Sequence, residues 1–276
     1  MYAAIFSRTY PMESVAEVFA AAATDGYQGV QANLSSAGLA SLPDTVPPGV
    51  AAQFCHEARA QGIRIAALSG TYNMAHPDAE ERKASRAGFQ NVVTAAREMG
   101  APVVTLCTGS RDLHDMWKFH PENRSDKAWR DLRSELEFAL RVAQEAGIRL
   151  AIEPEPANVI HDANAAKQIL NEMASSYLGI LLDAANLLTT ETLSRQHEVI
   201  DEAMGLLGES LLLAHAKDID ASGHVVAPGE GKVDLVAFTT SLRRVGYNGA
   251  LIAHGFAAEK AGLAVKVLQR IIGESA

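Results

Sequence analysis

The sequence predicts a single-domain α/β protein in which eight strands, each followed by a helix, form a (β/α)8 barrel. Short apolar runs alternate with amphipathic helical segments along the whole chain, and no low-complexity stretch interrupts them. The 276 residues also suit such a barrel, which takes roughly 250. An open doubly wound sheet is the alternative, but no Gly-x-Gly-x-x-Gly motif follows the first apolar run. The prediction is therefore one barrel domain over residues 1–276.

The apolar runs are rich in Val, Ile and Leu, as expected of strands that are buried on both faces. In chain order they are Tyr2–Phe6, Gly29–Ala32, Arg64–Leu68, Val103–Cys107, Arg149–Glu153, Gly179–Asp183, Leu211–His215 and Ala250–His254. Barrels of this type carry their chemistry at the carboxyl ends of the strands. The last residues of these runs are therefore the first candidates for function.

Amphipathic segments between these runs predict the helices. The clearest are Ala79–Met99, Ala128–Ala146, Ala163–Ala174 and Val233–Val245. Several helical segments stop at a glycine that leads into the next strand, which is the usual carboxyl-terminal signal. These glycines are Gly62, Gly100, Gly147 and Gly246.

Composition excludes several classes of protein. Apolar residues make up 48% of the chain, so it can bury a large core, and the formal net charge of -9 disfavours a nucleic acid or an anionic membrane as the main partner. The only cysteines, Cys55 and Cys107, are too few for a disulfide framework. No signal peptide is recognised, and no apolar run reaches the ~18 residues of a membrane span. We therefore expect a cytoplasmic protein.

Four consecutive predicted strands end on a carboxylate or an imidazole: Glu153, Asp183, His215 and His254. Charged groups at the end of a buried strand are costly unless they are paired or bind a metal. Two carboxylates and two imidazoles on one rim predict a divalent metal site. Mn²⁺ is the favoured ion, with Co²⁺, Fe²⁺ and Zn²⁺ as alternatives and Mg²⁺ less suited to imidazole.

The Glu, Asp and His that end the fifth to seventh strands resemble the pattern of the xylose isomerase-like barrel superfamily. The loop Gly229-Glu-Gly-Lys-Val-Asp234 and the segment Gly246-Tyr-Asn-Gly249 are similar as well. Within that superfamily, Ser69–Pro77 and Thr108–Asp112 resemble the branch called sugar phosphate isomerase/epimerase. The resemblance implies a metal-dependent enzyme with a carbohydrate substrate.

Two positions depart from the epimerase pattern. The resemblance implies Glu, Asp, His and a final Glu as metal ligands, with both Glu residues also moving protons, but the final position here is His254. The histidine that usually follows the Asp by three residues is Asn186. Imidazole is a good ligand, so the predicted metal site survives. The proton relay between two glutamates is not expected here, because the second glutamate is replaced by His254.

Four residues are candidates for the catalytic roles: Glu153, Glu155, Lys217 and His120. Glu155 faces the same way as Glu153 if the strand continues, so it is a candidate base, although an ion pair with Lys217 is an equal alternative. Lys217 can polarise a carbonyl or bind an anionic group. His120 titrates near neutrality, with a solvated surface histidine as the alternative.

The long loop after the fourth strand, residues 108–127, is typical of a lid or a substrate wall. Trp117 suits the apolar face of a sugar ring, and it equally suits a hydrophobic anchor for the loop. The candidates for substrate binding around the rim are Asn33, Tyr72, Asn73, Arg111, Trp117 and Asn186.

The preferred function is an isomerase or epimerase of a sugar, keto-sugar or sugar derivative, working through an enediolate. A lyase or dehydratase that eliminates a β-substituent from a keto-sugar, keto-inositol or keto-glycoside is the main alternative. A non-catalytic metal-binding protein and an endonuclease of abasic DNA are remote, the latter because of the acidic net charge. Homo-oligomerisation stays open.

Overall fold

The computed structural model describes residues 1–274 and confirms the barrel. Eight parallel strands close in the order β1, β2, β3, β4, β5, β6, β7, β10, and β10 pairs with β1. The barrel strands are β1 Tyr2–Phe6, β2 Gly29–Ala32, β3 Arg64–Ser69, β4 Val103–Cys107, β5 Arg149–Glu153, β6 Leu178–Asp183, β7 Leu211–His215 and β10 Ala250–Ala253. A short antiparallel pair, β8 Asp218–Ile219 and β9 Val225–Val226, follows β7.

Eight helices surround the barrel. They are α1 Val15–Asp25, α2 Val50–Gln61, α3 Ala79–Met99, α4 Asp126–Ala146, α5 Ala163–Met173, α6 Gln196–Leu207, α7 Leu235–Arg244 and α8 Ala261–Glu274. Side-chain caps decide where some of them begin. The amide of Ala128 donates to the Ser125 hydroxyl, which starts α4 two residues before the predicted position. The amide of Ala237 donates to Asp234, which starts α7 two residues after it.

The barrel interior has a small core of its own, separate from the larger core between sheet and helices. Its buried members are Ala4, Ala66, Ala67, Val103, Ala151, Leu181, Leu213, Ala250 and Ile252. Side chains on a strand alternate between its two faces, so the residue two positions further along points into the same interior. The interior of β5, β6, β7 and β10 therefore continues, at the carboxyl end, into the four predicted metal ligands.

Two pairs of strands change register along their length. The pairing of β2 with β3 shifts between Val30 and Gln31, and the pairing of β6 with β7 shifts between Ile180 and Leu181. Such irregularities locally re-aim the side chains that follow.

The hairpin β8–β9 and the loop after it are held by one buried carboxylate. Asp218 accepts hydrogen bonds from the backbone amides of Gly229 at 3.0 Å, Gly231 at 2.9 Å and Val233 at 3.0 Å. A Cβ atom at Gly231 would lie 2.2 Å from an Asp218 carboxylate oxygen, so this position requires glycine. The glycine motif seen in the sequence is therefore a structural clamp. Among residues 1–274, none of the helices is long and apolar enough to cross a membrane.

Candidate metal centre and its cavity

The four side chains predicted as metal ligands meet at the carboxyl end of the barrel. Glu153, Asp183 and His215 are the last residues of β5, β6 and β7, and His254 follows β10. One ligand atom from each lies within 4.8 Å of the ligand atoms of the others. Two carboxylates and two imidazoles at this spacing form a donor set that fits a divalent transition metal.

Direct contacts pair each acid with one histidine. His215 Nδ1 lies 3.3 Å from Glu153 Oε1, and His254 Nε2 lies 3.1 Å from Asp183 Oδ2. The two imidazole rings lie side by side, with their centroids 4.2 Å apart. The carboxylates are nearly inaccessible, with Glu153 7% exposed and Asp183 1% exposed.

The electrostatics of the cluster favour ionised Glu153 and Asp183 and a neutral His254. Burial acts to raise the pKa of Asp183, but Lys217 and His254 hold it well below its usual range. Burial opposes ionisation of Glu153 too, yet His215 and His254 keep its pKa lowered. Burial and the neighbouring His215 lower the pKa of His254. Anionic carboxylates and neutral imidazoles are the forms that bind metals.

A second group of polar residues lies directly against the cluster. The Asn186 side-chain amide donates to Glu153 Oε1 at 3.0 Å and to Glu155 Oε2 at 2.7 Å, while its carbonyl accepts from the Lys217 ammonium. Lys217 Nζ also lies 3.4 Å from Asp183 Oδ2. The sequence left an ion pair of Glu155 with Lys217 as an alternative to a catalytic role, and Asn186 bridges the two side chains.

This network shifts the proton affinities of its members. Burial raises the pKa of Glu155 to about 7; Lys217 opposes that rise, and the neighbouring acids Glu153 and Asp183 add to it. Burial acts to lower the pKa of Lys217, but Asp183, Glu155 and Glu153 outweigh it and raise that pKa above its usual value. Lys217 is therefore a fixed buried cation.

Gln31 is a site residue that sequence reasoning missed. It lies on β2, across the barrel, and its Oε1 is 2.7 Å from His215 Nε2, while its Nε2 donates to the Thr105 hydroxyl at 3.3 Å. A neutral imidazole that donates from Nε2 presents its Nδ1 lone pair, here on the Glu153 side. The signal was present in the sequence, because Gln31 is a polar residue inside an otherwise apolar strand.

The cluster opens on a cavity of about 300 Å³. Three of the four metal-ligand candidates reach it, namely Glu153, His215 and His254. Structural metal sites are closed by protein ligands, whereas catalytic ones keep a position open to substrate. The remaining lining residues are Phe6, Arg8, Gln31, Asn33, Ser41, Ser69, Thr71, Thr105, Cys107, Met116, Trp117 and Glu155.

Two of the predicted substrate-binding residues, Asn33 and Trp117, line this cavity. Trp117, 51% exposed, lies on the loop after β4. Asn33 is buried, and its side-chain oxygen accepts from the Ser35 amide, so it also caps a turn. Asn186 is placed beside the cluster by its bonds to both glutamates.

The structure does not bring Tyr72 or Asn73 to the cavity lining. The Tyr72 hydroxyl donates to Glu135 of α4 at 3.4 Å, inside the helix layer. Asn73 is occupied with Ser110, whose carbonyl accepts from the Asn73 amide and whose backbone amide donates back to it. Tyr72 therefore links its loop to α4, and Asn73 links the loops that follow β3 and β4.

Arg111 and His120 likewise contact other parts of the protein. Arg111 is 4% exposed and donates to Asp131 of α4 at 2.7 Å. His120 Nδ1 accepts from the Glu122 amide at 3.2 Å and so caps a short 3₁₀ helix. Neither residue lines the cavity. Arg111 ties the long loop to α4, and His120 caps a turn within the loop.

Comparison with known proteins identifies the family. The model of the family described as xylose isomerase-like TIM barrel matches residues 19–271. The chain belongs to the xylose isomerase-like TIM barrel family. This confirms the family resemblance seen in the sequence. No curated protein matches the sequence significantly.

Solved structures with the same fold include sugar epimerases. A 3-keto-D-glucoside 4-epimerase from E. coli superposes with a TM-score of 0.77 at 17% identity, covering 98% of this chain and 99% of that one. A D-allulose 3-epimerase from Methylomonas sp. gives a TM-score of 0.73 at 13% identity, covering 100% and 97%. The IolI protein, solved with a zinc atom, gives 0.76 at 16% identity, covering 100% and 99%. At these identities the likeness establishes the barrel architecture.

Proposed function

We propose that this xylose isomerase-like barrel is a divalent-metal-dependent isomerase that moves a proton between adjacent carbons of a keto-sugar through an enediolate. The observation that carries the proposal is the cluster of Glu153, Asp183, His215 and His254. The cluster opens on a cavity that is also lined by Glu155, a carboxylate outside the candidate ligand set. The sugar epimerases among its structural neighbours support a small carbohydrate as the substrate.

The same four residues would hold the metal. Bound there, a divalent ion supplies a Lewis acid that polarises a substrate carbonyl and its neighbouring hydroxyl. The mixed oxygen and nitrogen donors suit Mn²⁺ first, with Co²⁺, Fe²⁺ and Zn²⁺ as alternatives. The zinc atom in the IolI structure supports the use of a divalent ion in this fold.

Glu155 is the residue that we assign as the base. One of its carboxylate oxygens accepts the Asn186 amide at 2.7 Å, and no described residue hydrogen-bonds the other oxygen, Oε1. The side chain lines the cavity, so this free oxygen is available to a proton of a bound sugar. Asn186, itself held by Lys217, fixes the orientation of the carboxylate.

The arrangement favours proton transfer on one face of the sugar. Glu153 and Glu155 share the Asn186 amide, so both carboxylates lie on the same side of the cavity. The wall from β1 to β4 contributes the cation Arg8 and neutral groups such as Gln31 and Thr105, and none of its described lining residues is a carboxylate or an imidazole. Epimerisation needs protonation on the opposite face, whereas isomerisation needs a single base. β-Elimination also needs one base and is the second candidate reaction.

The test is hydrogen exchange in D₂O with a panel of keto-sugars and the Mn²⁺-loaded protein, followed by proton NMR. We expect deuterium at the carbon next to the carbonyl, together with an isomerised or eliminated product. In Glu155→Gln the exchange should fall by ~10²- to 10⁴-fold, the usual contribution of a general base, while bound metal stays the same.

Glu145→Gln is the matched control, because Glu145 is exposed on α4. It should exchange at the wild-type rate. Turnover with every substrate hydrogen retained would contradict the enediolate route. An epimer formed as the main product would contradict the single-face assignment.

A further inference from the structure

A second cavity, of about 660 Å³, lies beside the first at the same end of the barrel. Phe6, Arg8 and His254 line both cavities, so the two adjoin one another at these side chains. We call the one at the metal cluster the inner cavity and the other the outer cavity. The inner one is at the small end of the range for ligand pockets, roughly 300–1,000 Å³, and together they hold a longer molecule.

The outer cavity lies between two walls that contact each other. One wall is the hairpin strand β9 with Val225 and Val226, and the other is the loop after β10 from Gly255 to Lys260. Gly255 has φ +85°, and a Cβ atom there would lie 2.9 Å from a methyl of Val225, so the two walls touch at this point. Asp218 fixes the loop that follows the hairpin through three backbone amides. A fixed wall of this kind can position a ligand group.

The lining of the outer cavity mixes aromatic surface with hydrogen-bonding groups. Phe6 and Phe256 offer ring faces, while Glu230 and Lys260 pair at 2.6 Å on the rim and so present both signs of charge. The Arg8 guanidinium hydrogen-bonds to no described residue, and it stands at the junction of the two cavities. Apolar faces with a few donors and acceptors suit a neutral polyhydroxylated ring.

We propose that the substrate is a keto-sugar carrying a second sugar ring, with the reacting ring in the inner cavity and the second ring in the outer one. Arg8 then donates hydrogen bonds to oxygens near the glycosidic linkage. This inference rests on the proposed function, since it assumes that the inner cavity holds the reacting sugar. It narrows the substrate class from keto-sugars in general to keto-glycosides and keto-disaccharides.

The first experiment compares two matched substrates on the Mn²⁺-loaded protein. One is a keto-glucose with only a methyl group on its anomeric oxygen, and the other is the same keto-glucose with a second glucose there. Solvent deuterium exchange gives kcat/KM for each. We expect the two-ring sugar to be favoured by ~10- to 100-fold, because binding energy of a remote group lowers the barrier at the reacting carbon.

The second experiment fills the outer cavity. Ala257 is exposed and lines only that cavity, so Ala257→Trp should remove the preference and bring the ratio of the two kcat/KM values towards one. Phe256→Ala should lower the same ratio by deleting a ring face. Ala221→Trp is the matched control, because Ala221 is exposed on the turn of the same hairpin and lines neither cavity.

The outcomes separate the two proposals. Equal kcat/KM values for the two sugars, or a preference that survives Ala257→Trp, would overturn the two-ring substrate and leave the isomerase intact. Absence of exchange with both these sugars and the wider keto-sugar panel would overturn the isomerase and the two-ring substrate together. A preference lost in Ala257→Trp and kept in Ala221→Trp would support the outer cavity as a binding site for the second ring.

Discussion

The two halves of the barrel rim differ in chemistry. Strands β5, β6, β7 and β10 and their loops carry the carboxylates and imidazoles that line the described cavity, whereas β1 to β4 and their loops contribute one cation, Arg8, and otherwise neutral groups, among them Phe6, Ser69, Thr105 and the thiol of Cys107. Burial and the neighbouring Glu153 and Glu155 raise the pKa of Cys107 well above its usual value, so this thiol stays protonated. In the proposed function one half would therefore hold the metal and the base, and the other would shape the pocket.

A contact across the barrel qualifies this division. Gln31 belongs to the half without acids, yet it is bonded to His215 at 2.7 Å. The half from β1 to β4 thus also sets which imidazole nitrogen is presented to the cluster. Substitutions in the two halves should consequently separate loss of metal, loss of orientation and loss of substrate binding.

The largest effect is expected for Asp183→Asn, in the charged half. Asparagine keeps an acceptor for the Ala185 amide, so the local turn is retained, but an anionic ligand is lost. Metal affinity should fall by more than ~100-fold, beyond the usual cost of losing an outer partner, and exchange activity should fall with it. Elemental analysis after gentle purification should show about one ion per wild-type chain and none in the variant. Equal metal content in the two proteins would refute the site.

His254→Gln should have the next largest effect. If His254 binds the metal and does not transfer the proton, as we propose, metal affinity should weaken by ~10- to 100-fold, with much of the rate restored at saturating Mn²⁺. Metal titration followed by activity measurement separates the two roles. A fully loaded but inactive variant would instead make His254 the proton-transferring group.

Gln31→Leu tests the contact between the halves. Without its acceptor, His215 loses the bond that fixes its tautomer, and metal affinity should fall by ~10-fold, at the low end for such partners. Thr105→Val is the matched control, since it removes the other hydrogen bond of Gln31 and leaves the bond to His215. Equal metal dissociation constants for the two variants would show that Gln31 has no orienting role.

The smallest effects belong to the long loop after β4. Trp117→Ala should raise the KM for the sugar by several-fold, about the worth of one aromatic contact, without changing metal content. His120→Asn keeps a cap for the short 3₁₀ helix and should stay within ~2-fold of wild type. Steady-state kinetics on both variants provides the measurement, and a large kcat loss in His120→Asn would restore it as an acid–base candidate.

The fold was readable from the sequence because most residues of the buried strands form apolar runs and the helical segments between them are amphipathic, several of them ending at a glycine. The strand ends were readable for the same reason, since Glu153, Asp183 and His215 interrupt apolar runs at their last residue. The observed starts of α4 and α7 differ by two residues from the predicted ones, because the capping side chains of Ser125 and Asp234 set where these helices begin. Apolar runs and helix caps involve residues that are close in the chain, so they can be recognised in the sequence alone.

The loop residues were less predictable because their partners are distant in the chain. Polar side chains such as Asn73 and Arg111 look available in a sequence, but in the folded protein Ser110 and Asp131 occupy them. Gln31 was missed for the opposite reason, because its partner lies 184 positions away, on β7. Such pairings depend on the closure of the barrel, which no local pattern describes.

The register shifts in the sheet have a consequence for engineering. The shift at Val30 and Gln31 immediately precedes a side chain that crosses the barrel, and the shift at Ile180 and Leu181 precedes the strand end that carries Asp183. Moving a strand by one residue turns its side chains to the other face. A designer who grafted these side chains onto a perfectly regular barrel would therefore have to transplant the two irregularities as well, since part of the geometry of the candidate site is encoded in the course of the backbone.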